Sequence, residues 1–423
     1  IPEKKPVPPL ITCSTNYAAP FFFNLNVGDV GNAFVVGPVG SGKSSLLEMI
    51  EIQFLKYRQR KVDSKGNETY IDPQVFIIDK GRSARQLTMA VGGKYYEPGT
   101  SHVSFQPLEK LDTYEDRLWA QEWISLVLQL QPEISLTAQK TKIIQTTIEL
   151  MENLPVESRT LTTFQQLVAD QEIKDAISIY TLTGKYGEMF DSGKTSLQGS
   201  SWMMIEMGNL MERSGEAAVT PALEYIFHYF ESFFDGTLTL LVIDEAFIFF
   251  RNAVFARRFH EWLKTLRKLN VFVIFATQEV ADIMKSPLCS TIIEQCMTKI
   301  YLANKEAQTP NIKENYYQLG VTDAEIDLIS HSTYKQDYFC KSPLGSRKFQ
   351  LEIGQNSITS GLLFGQVHKE LDEFELQHNK ILCQAEKHTK LGLPLTNEEK
   401  EHFVENYSFC KTILDSKHIQ YKQ

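Results

Sequence analysis

No apolar run in this 423-residue chain approaches the roughly twenty residues that a membrane-crossing helix needs; the longest, such as LTLLVI at 238–243, reach about six. A bilayer-spanning segment is therefore not expected. The opening stretch IPEKKPVPPL has neither the apolar core nor the cleavage pattern of a signal peptide. Cysteine is scarce: Cys13, Cys289, Cys296, Cys340, Cys383 and Cys410 form no CxxC pair. They read as buried or free thiols of a reducing compartment. The nine histidines contain no HExxH or similar metal spacing. Arginine-rich stretches, internal repeats and low-complexity blocks are also missing. The net charge is −9 and the pI is near 5.6. Such a balance argues against a surface built to wrap nucleic acid, which normally shows as a basic patch.

What is present is a glycine-rich phosphate loop in its expected context. GPVGSGKS at 37–44 matches G-x-x-x-x-G-K-[ST], with the apolar strand AFVV before it and an amphipathic helix after it. Gly37, Gly40 and Gly42 let the backbone curl so that successive N–H groups converge on phosphates at a helix N-terminus. Pro38, Val39, Ser41 and Ser45 complete the predicted nucleotide-binding loop. Lys43 is expected to bring its charge to the β and γ phosphates, and the Ser44 hydroxyl to ligate Mg²⁺.

Two later runs, VFIID and LLVID, each end a strand-like segment on an aspartate, Asp79 and Asp244. A magnesium-linked aspartate in ATP-driven motors is followed directly by a glutamate, and only Asp244 has one, Glu245. Asp79 is followed by Lys80, a poor activator of water. Asp244 is thus assigned to the metal and Glu245 to the attacking water. Gln278 ends the next strand, VFVIFAT, where it would sense the γ-phosphate. Strand ends that bracket the loop in this way form the usual ligand crevice of a parallel α/β sheet. SLQGSS at 196–201 resembles a transporter signature but lacks its double glycine, and is set aside.

The chain divides, on periodicity, into an α/β segment over 1–107, an all-α insertion over 108–235, a second α/β segment over 236–365 and a C-terminal helical extension over 366–423. TPALEYIFHYFESFF at 220–234 reads as a helix with a Thr cap and Pro in its first turn. YFCKS and RKFQLEIG, at 338–354, read as an edge hairpin turning at Gly345. The aromatic run FFFNLNVG docks the lead-in onto the core.

Taken together, FNLNVGDVGNAFVVGPVGSGKSSLL, QVFIIDKGRSARQLTMAVGG, FQPL, ESRTLTT, LLVIDEAF and WLKTLRKLNVFVIFATQ resemble the CagE/TrbE family of type IV secretion and conjugative-transfer ATPases. The resemblance runs from about Phe22 to Gly354. It implies a RecA-like P-loop NTPase core, an α/β fold with a mostly parallel sheet and an inserted all-helical subdomain. It also implies ATP and Mg²⁺ as cofactors, a homo-hexamer in the full-length protein, and an upstream N-terminal domain. The expected setting is the cytoplasmic face of a bacterial inner membrane, with other secretion-system components as partners. An arginine finger from a neighbouring subunit is expected, with Arg267 the first candidate and Arg258 the second. Surface arginines on a solvated helix are the plain alternative for both. DKGRS at 79–83 either caps the next helix or contributes to nucleotide or subunit sensing through Arg82 and Arg85. Two rival functions share these motifs: a HerA/FtsK-like DNA translocase, and a nucleotide-gated scaffold with little turnover.

Overall fold

Each short apolar run of the core places alternate residues on opposite faces, as a period of two requires. The computed structural model describes residues 8–16, 19–28, 30–62, 66–100, 103–131, 134–245 and 253–351. Nine strands form one sheet: β1 (Ala33–Val36), β2 (Gln74–Asp79), β3 (Lys94–Tyr96), β4 (Trp202–Glu206), β5 (Thr239–Ile243), β6 (Val271–Thr277), β7 (Thr298–Leu302), β8 (Asp337–Ser342) and β9 (Gly345–Gln350). Their spatial order is β9-β8-β7-β1-β6-β5-β2-β4-β3. The seven strands from β7 to β3 pair in parallel, and β8 and β9 add antiparallel at one edge. The expected α/β fold with a mostly parallel sheet is the fold observed.

Both faces of the sheet are covered, which is why its central strands carry continuous apolar runs rather than a polar alternation. On one face Val35, Ile77, Leu240, Val242 and Ile274 pack under the phosphate-loop helix α1 (Lys43–Phe54) through Leu46, Leu47, Ile50 and Phe54. On the other, Phe34, Phe76, Met203, Leu241 and Phe275 share a core with the helical subdomain. Full burial of one such side chain contributes about 1.5–3 kcal/mol. The lead-in docks as expected: Phe21–Phe23 pairs with Ile11–Cys13, and the Phe23 ring lies 5.7 Å from Phe349. The hairpin of β8 and β9 turns through Pro343 and Leu344 into Gly345, whose φ of +130° suits glycine alone.

The helical subdomain includes α2 (Tyr114–Gln129) and α3 (Ala138–Met151). Thr113 and Asp116 form a reciprocal cap for the first, and Thr137 caps the second. Two expectations need correction. Residues 108–235 are not all-α, because Trp202–Glu206 is a sheet strand two places from β5. The run WMMIE has one β-branched residue and two methionines, so local propensity concealed it. Nor does the later helix begin at Thr220. α4 spans Glu216–Glu231 with Gly215 at its N-cap, leaving Pro221 inside the helix. A proline there cannot donate to Ala217 four residues back. The Tyr180 hydroxyl donates to the Ala217 carbonyl instead, at 2.5 Å, while Trp123 Nε1 donates to the Pro221 carbonyl at 3.1 Å. Residues 366–423, expected to be helical, lie outside the described residues, as do Cys383 and Cys410. Cys13, Cys289, Cys296 and Cys340 are free thiols.

Candidate functional site

Parallel strands deliver their C-terminal ends to one edge, and four chemically distinct segments meet there. The phosphate loop leaves β1 at Gly37, Asp244 and Glu245 follow β5, Gln278 follows β6, and Lys80 follows β2. Gly37 N–H donates to the Thr277 carbonyl at 3.2 Å, tying the loop to β6. A Cβ on Gly37 would stand 2.5 Å from Leu302 Cβ, and Gly42 caps α1 at φ +103°. The glycines therefore serve close approach at one position and a left-handed turn at the other.

Pro38, Val39, Gly40, Gly42, Lys43, Ser44, Ser45, Asp244, Glu245 and Gln278 line one pocket. The Lys43 ammonium pairs with the Asp244 carboxylate and, at 3.1 Å, with Glu245 Oε1. Burial alone would lower the Lys43 pKa, but these two carboxylates outweigh it and hold the ammonium above its ordinary value. Gln278 Nε2 donates to Glu245 Oε1 at 2.7 Å. Glu245 sits at φ +53°, in the left-handed region that non-glycine residues seldom occupy. Such strain is concentrated at functional sites. The Ser44 hydroxyl and the Asp244 carboxylate are hard oxygen donors on the same pocket, which suits Mg²⁺ retaining most of its waters. Within the loop, Gly37 and Ser41 are the buried residues.

Asp79 is not open to a metal. Its side chain is 1% exposed, and Oδ2 accepts from Ser83 N–H at 2.6 Å and Ser83 Oγ at 2.7 Å. Arg82 pairs with Glu97 at 2.6 Å, and the buried Arg85 guanidinium lies over the Tyr95 ring at 5.1 Å. Neither arginine lines the nucleotide pocket. Arg267 is exposed and precedes β6, at the sheet edge opposite Gln278. Seven strand residues, at about 3.3 Å each, separate it from the pocket of its own chain. Arg258 falls within the helix Ala253–Leu266, with its side chain outside the described residues.

Sequence reasoning missed two contacts that brace the phosphate loop. Lys335, in the loop before β8, donates its N–H to the Ser41 carbonyl at 2.9 Å, and the Tyr338 hydroxyl donates to the Gly42 carbonyl at 3.2 Å. An antiparallel return brings residues some 290 positions away onto the phosphate loop, and no local pattern announces it. Behind the loop, Glu48 and Glu51 of α1 are buried beside Asp79, and Glu48 Oε2, Glu51 Oε2 and Asp79 Oδ1 have no hydrogen-bond partner among the described residues. Burial, then the neighbouring charges of Glu51 and Asp79, push Glu48 up to about 10; burial likewise raises Glu51, and carries Asp79 to about 7. The folded state holds these protons after the unfolded chain has released them, so stability falls as pH rises from the ordinary carboxylate range through those values. Glu48→Gln is expected to flatten that slope. It should stabilise the protein by about 1–3 kcal/mol at pH 8.5 and by much less at pH 4, measured by urea unfolding at both.

The family described as TraG P-loop domain matches residues 172–339. The chain is 35% identical over 343 residues to a probable conjugal transfer protein TrbE of Sinorhizobium fredii, covering 80% of this chain and 49% of that protein. The chain belongs to the TrbE family of conjugal transfer proteins. The type IV secretion system protein VirB4 of Bartonella quintana is 28% identical over 355 residues, 82% of this chain and 42% of that one. The solved structure of VirB4 from Thermoanaerobacter pseudethanolicus superposes with a TM-score of 0.65 at 14% identity, over 84% of this chain and 99% of that chain. That likeness shows the shared fold. The TrbE relationship is the one expected from the motifs, and the chain spans less than half the length of these curated relatives. Among the described residues no helix is long and apolar enough to cross a membrane.

Proposed function

We propose that this chain hydrolyses ATP to energise a type IV secretion or conjugative-transfer machine, driving pilus assembly and substrate translocation. The observation that carries the proposal is the convergence of Lys43, Asp244, Glu245 and Gln278 on one pocket beneath a glycine-rich loop. Lys43 answers the two carboxylates. On binding, its ammonium turns to the β and γ phosphate oxygens, which releases Glu245 to orient the attacking water and accept its proton. The backbone N–H groups of the loop and the N-terminus of α1 receive the phosphate charge. Ser44 and Asp244 would hold Mg²⁺, which would neutralise phosphate charge. Gln278, bonded to Glu245, is placed to register loss of the γ-phosphate.

Full-length protomers assemble as a homo-hexamer at the cytoplasmic face of the inner membrane, against other components of the secretion system. In that ring Arg267 or Arg258 acts across a subunit boundary, since Arg267 is remote from the pocket of its own chain. A closed ring repeats the interface without open ends. ATP turnover measured with and without DNA over a salt series tests this reading. Turnover unaffected by DNA at low salt is expected; strong, salt-sensitive stimulation would instead identify a DNA translocase, and binding without turnover a scaffold.

A further inference from the structure

The loop 79–83 places Lys80 on the wall of the pocket that Glu245 also lines. Glu206, at the end of β4 and 2% exposed, accepts from Gly81 N–H at 3.1 Å, Arg82 N–H at 2.7 Å and Gly208 N–H at 2.8 Å. Asp79 holds Ser83 through two hydrogen bonds, and Arg82, at φ +58°, is tied to Glu97. Every charged member of this loop is thus engaged except Lys80. Lys80 lines the phosphate pocket and makes no ion pair or hydrogen bond among the described residues.

Register locates it further. Ile78 of β2 pairs with Ile243 of β5, and Asp244 N–H donates to the Ile78 carbonyl at 2.8 Å. Lys80 is then two residues past Ile78, as Glu245 is two residues past Ile243. On the hydrolase reading above, Asp244 and Glu245 serve the γ-phosphate, so Lys80 lies at that end of the pocket. Lys335 enters from β8, on the far side of β1, and stands at the other. The charge balance points the same way. Asp244 and Glu245 bring two negative charges to the pocket against the one ammonium of Lys43, so a triphosphate calls for a further cation there.

We propose that Lys80 contacts the γ-phosphoryl oxygens of a bound nucleoside triphosphate and stabilises their charge, a cation supplied within the subunit. The inference rests on the nucleotide-hydrolase reading above. In the reaction, the water oxygen bonds to the γ-phosphorus while the bond from that phosphorus to the ADP oxygen breaks. The electron pair leaves with ADP, and the water proton passes to Glu245. Lys80 exchanges no atom and acts by charge alone. The pinned loop fixes the Lys80 backbone before the substrate arrives, so only the side chain is left to be ordered on binding.

Calorimetric titration of the magnesium complexes of ADPNP and ADP into wild type, Lys80→Met and Lys80→Arg tests this. A hydrogen bond between charged partners implies at least a tenfold loss of ADPNP affinity in Lys80→Met, with ADP affinity held within about twofold. Lys80→Arg should keep most of the preference for the triphosphate. ADP binding itself reports that each variant is folded, and a misfolded Lys80→Met would leave Lys80→Gln to be judged on the same ratio. Equal loss for both nucleotides, or loss for neither, would overturn the role of Lys80 alone. A wild type that binds neither nucleotide would overturn the hydrolase reading, and this proposal with it.

Discussion

Glu245→Gln is expected to lower ATP turnover by about 10²–10⁴-fold, the usual contribution of a positioned general base, while nucleotide binding persists. The geometry supports separating the two effects. Glu245 contributes one carboxylate oxygen, which accepts from Gln278 at 2.7 Å and from Lys43 at 3.1 Å. Glutamine keeps an acceptor oxygen at that position, so the local hydrogen bonds survive. What disappears is the negative charge proposed to take a proton from water. The strained φ of +53° belongs to the backbone and is unchanged by the substitution. Steady-state turnover beside a direct binding titration is the measurement. Undiminished turnover in the variant would remove Glu245 from the chemistry.

The second large effect is expected from Lys43→Ala. Its ammonium reaches across from α1 to both acids after β5, and its side chain is 10% exposed. Removing one partner of a buried ion pair costs about 3–5 kcal/mol where no water can enter; the open side of this pocket should reduce that. The larger consequence is for binding. A ligand at about 100 times its Kd stabilises the folded state by about 2.7 kcal/mol, and the variant should lose that gain. Thermal unfolding with and without Mg-ATP measures both quantities at once. A wild-type-sized shift in the variant would show that nucleotide is held elsewhere.

The phosphate loop, the Asp244–Glu245 pair and Gln278 were legible because each depends on contiguous residues: a glycine spacing, a strand ending on two acids, a strand ending on a polar side chain. The parallel sheet was legible for the same reason, through short apolar runs separated by helical periodicity. The strand Trp202–Glu206 was not, because methionine-rich runs favour neither period strongly. The true start of α4 was hidden too: Pro221 looks like a helix opener, and the hydroxyl that tolerates it comes from Tyr180, 41 positions earlier.

VFIIDKGRS shows where the division lies. Its sequence set Asp79 aside as the magnesium carboxylate, since a lysine rather than an acid follows. Only the tertiary structure decided what the loop does with its charges. Glu206 belongs to a strand more than 120 residues downstream, yet it lies beside β2 and takes three backbone N–H groups. That contact, the tie of Arg82 to Glu97 and the seat of Arg85 over Tyr95 keep both arginines off the pocket wall and leave Lys80 on it. Local sequence determines which groups a strand end carries; the order in which strands pair determines which of those groups meet, because hydrogen-bonded neighbours in a sheet need not be neighbours in the chain.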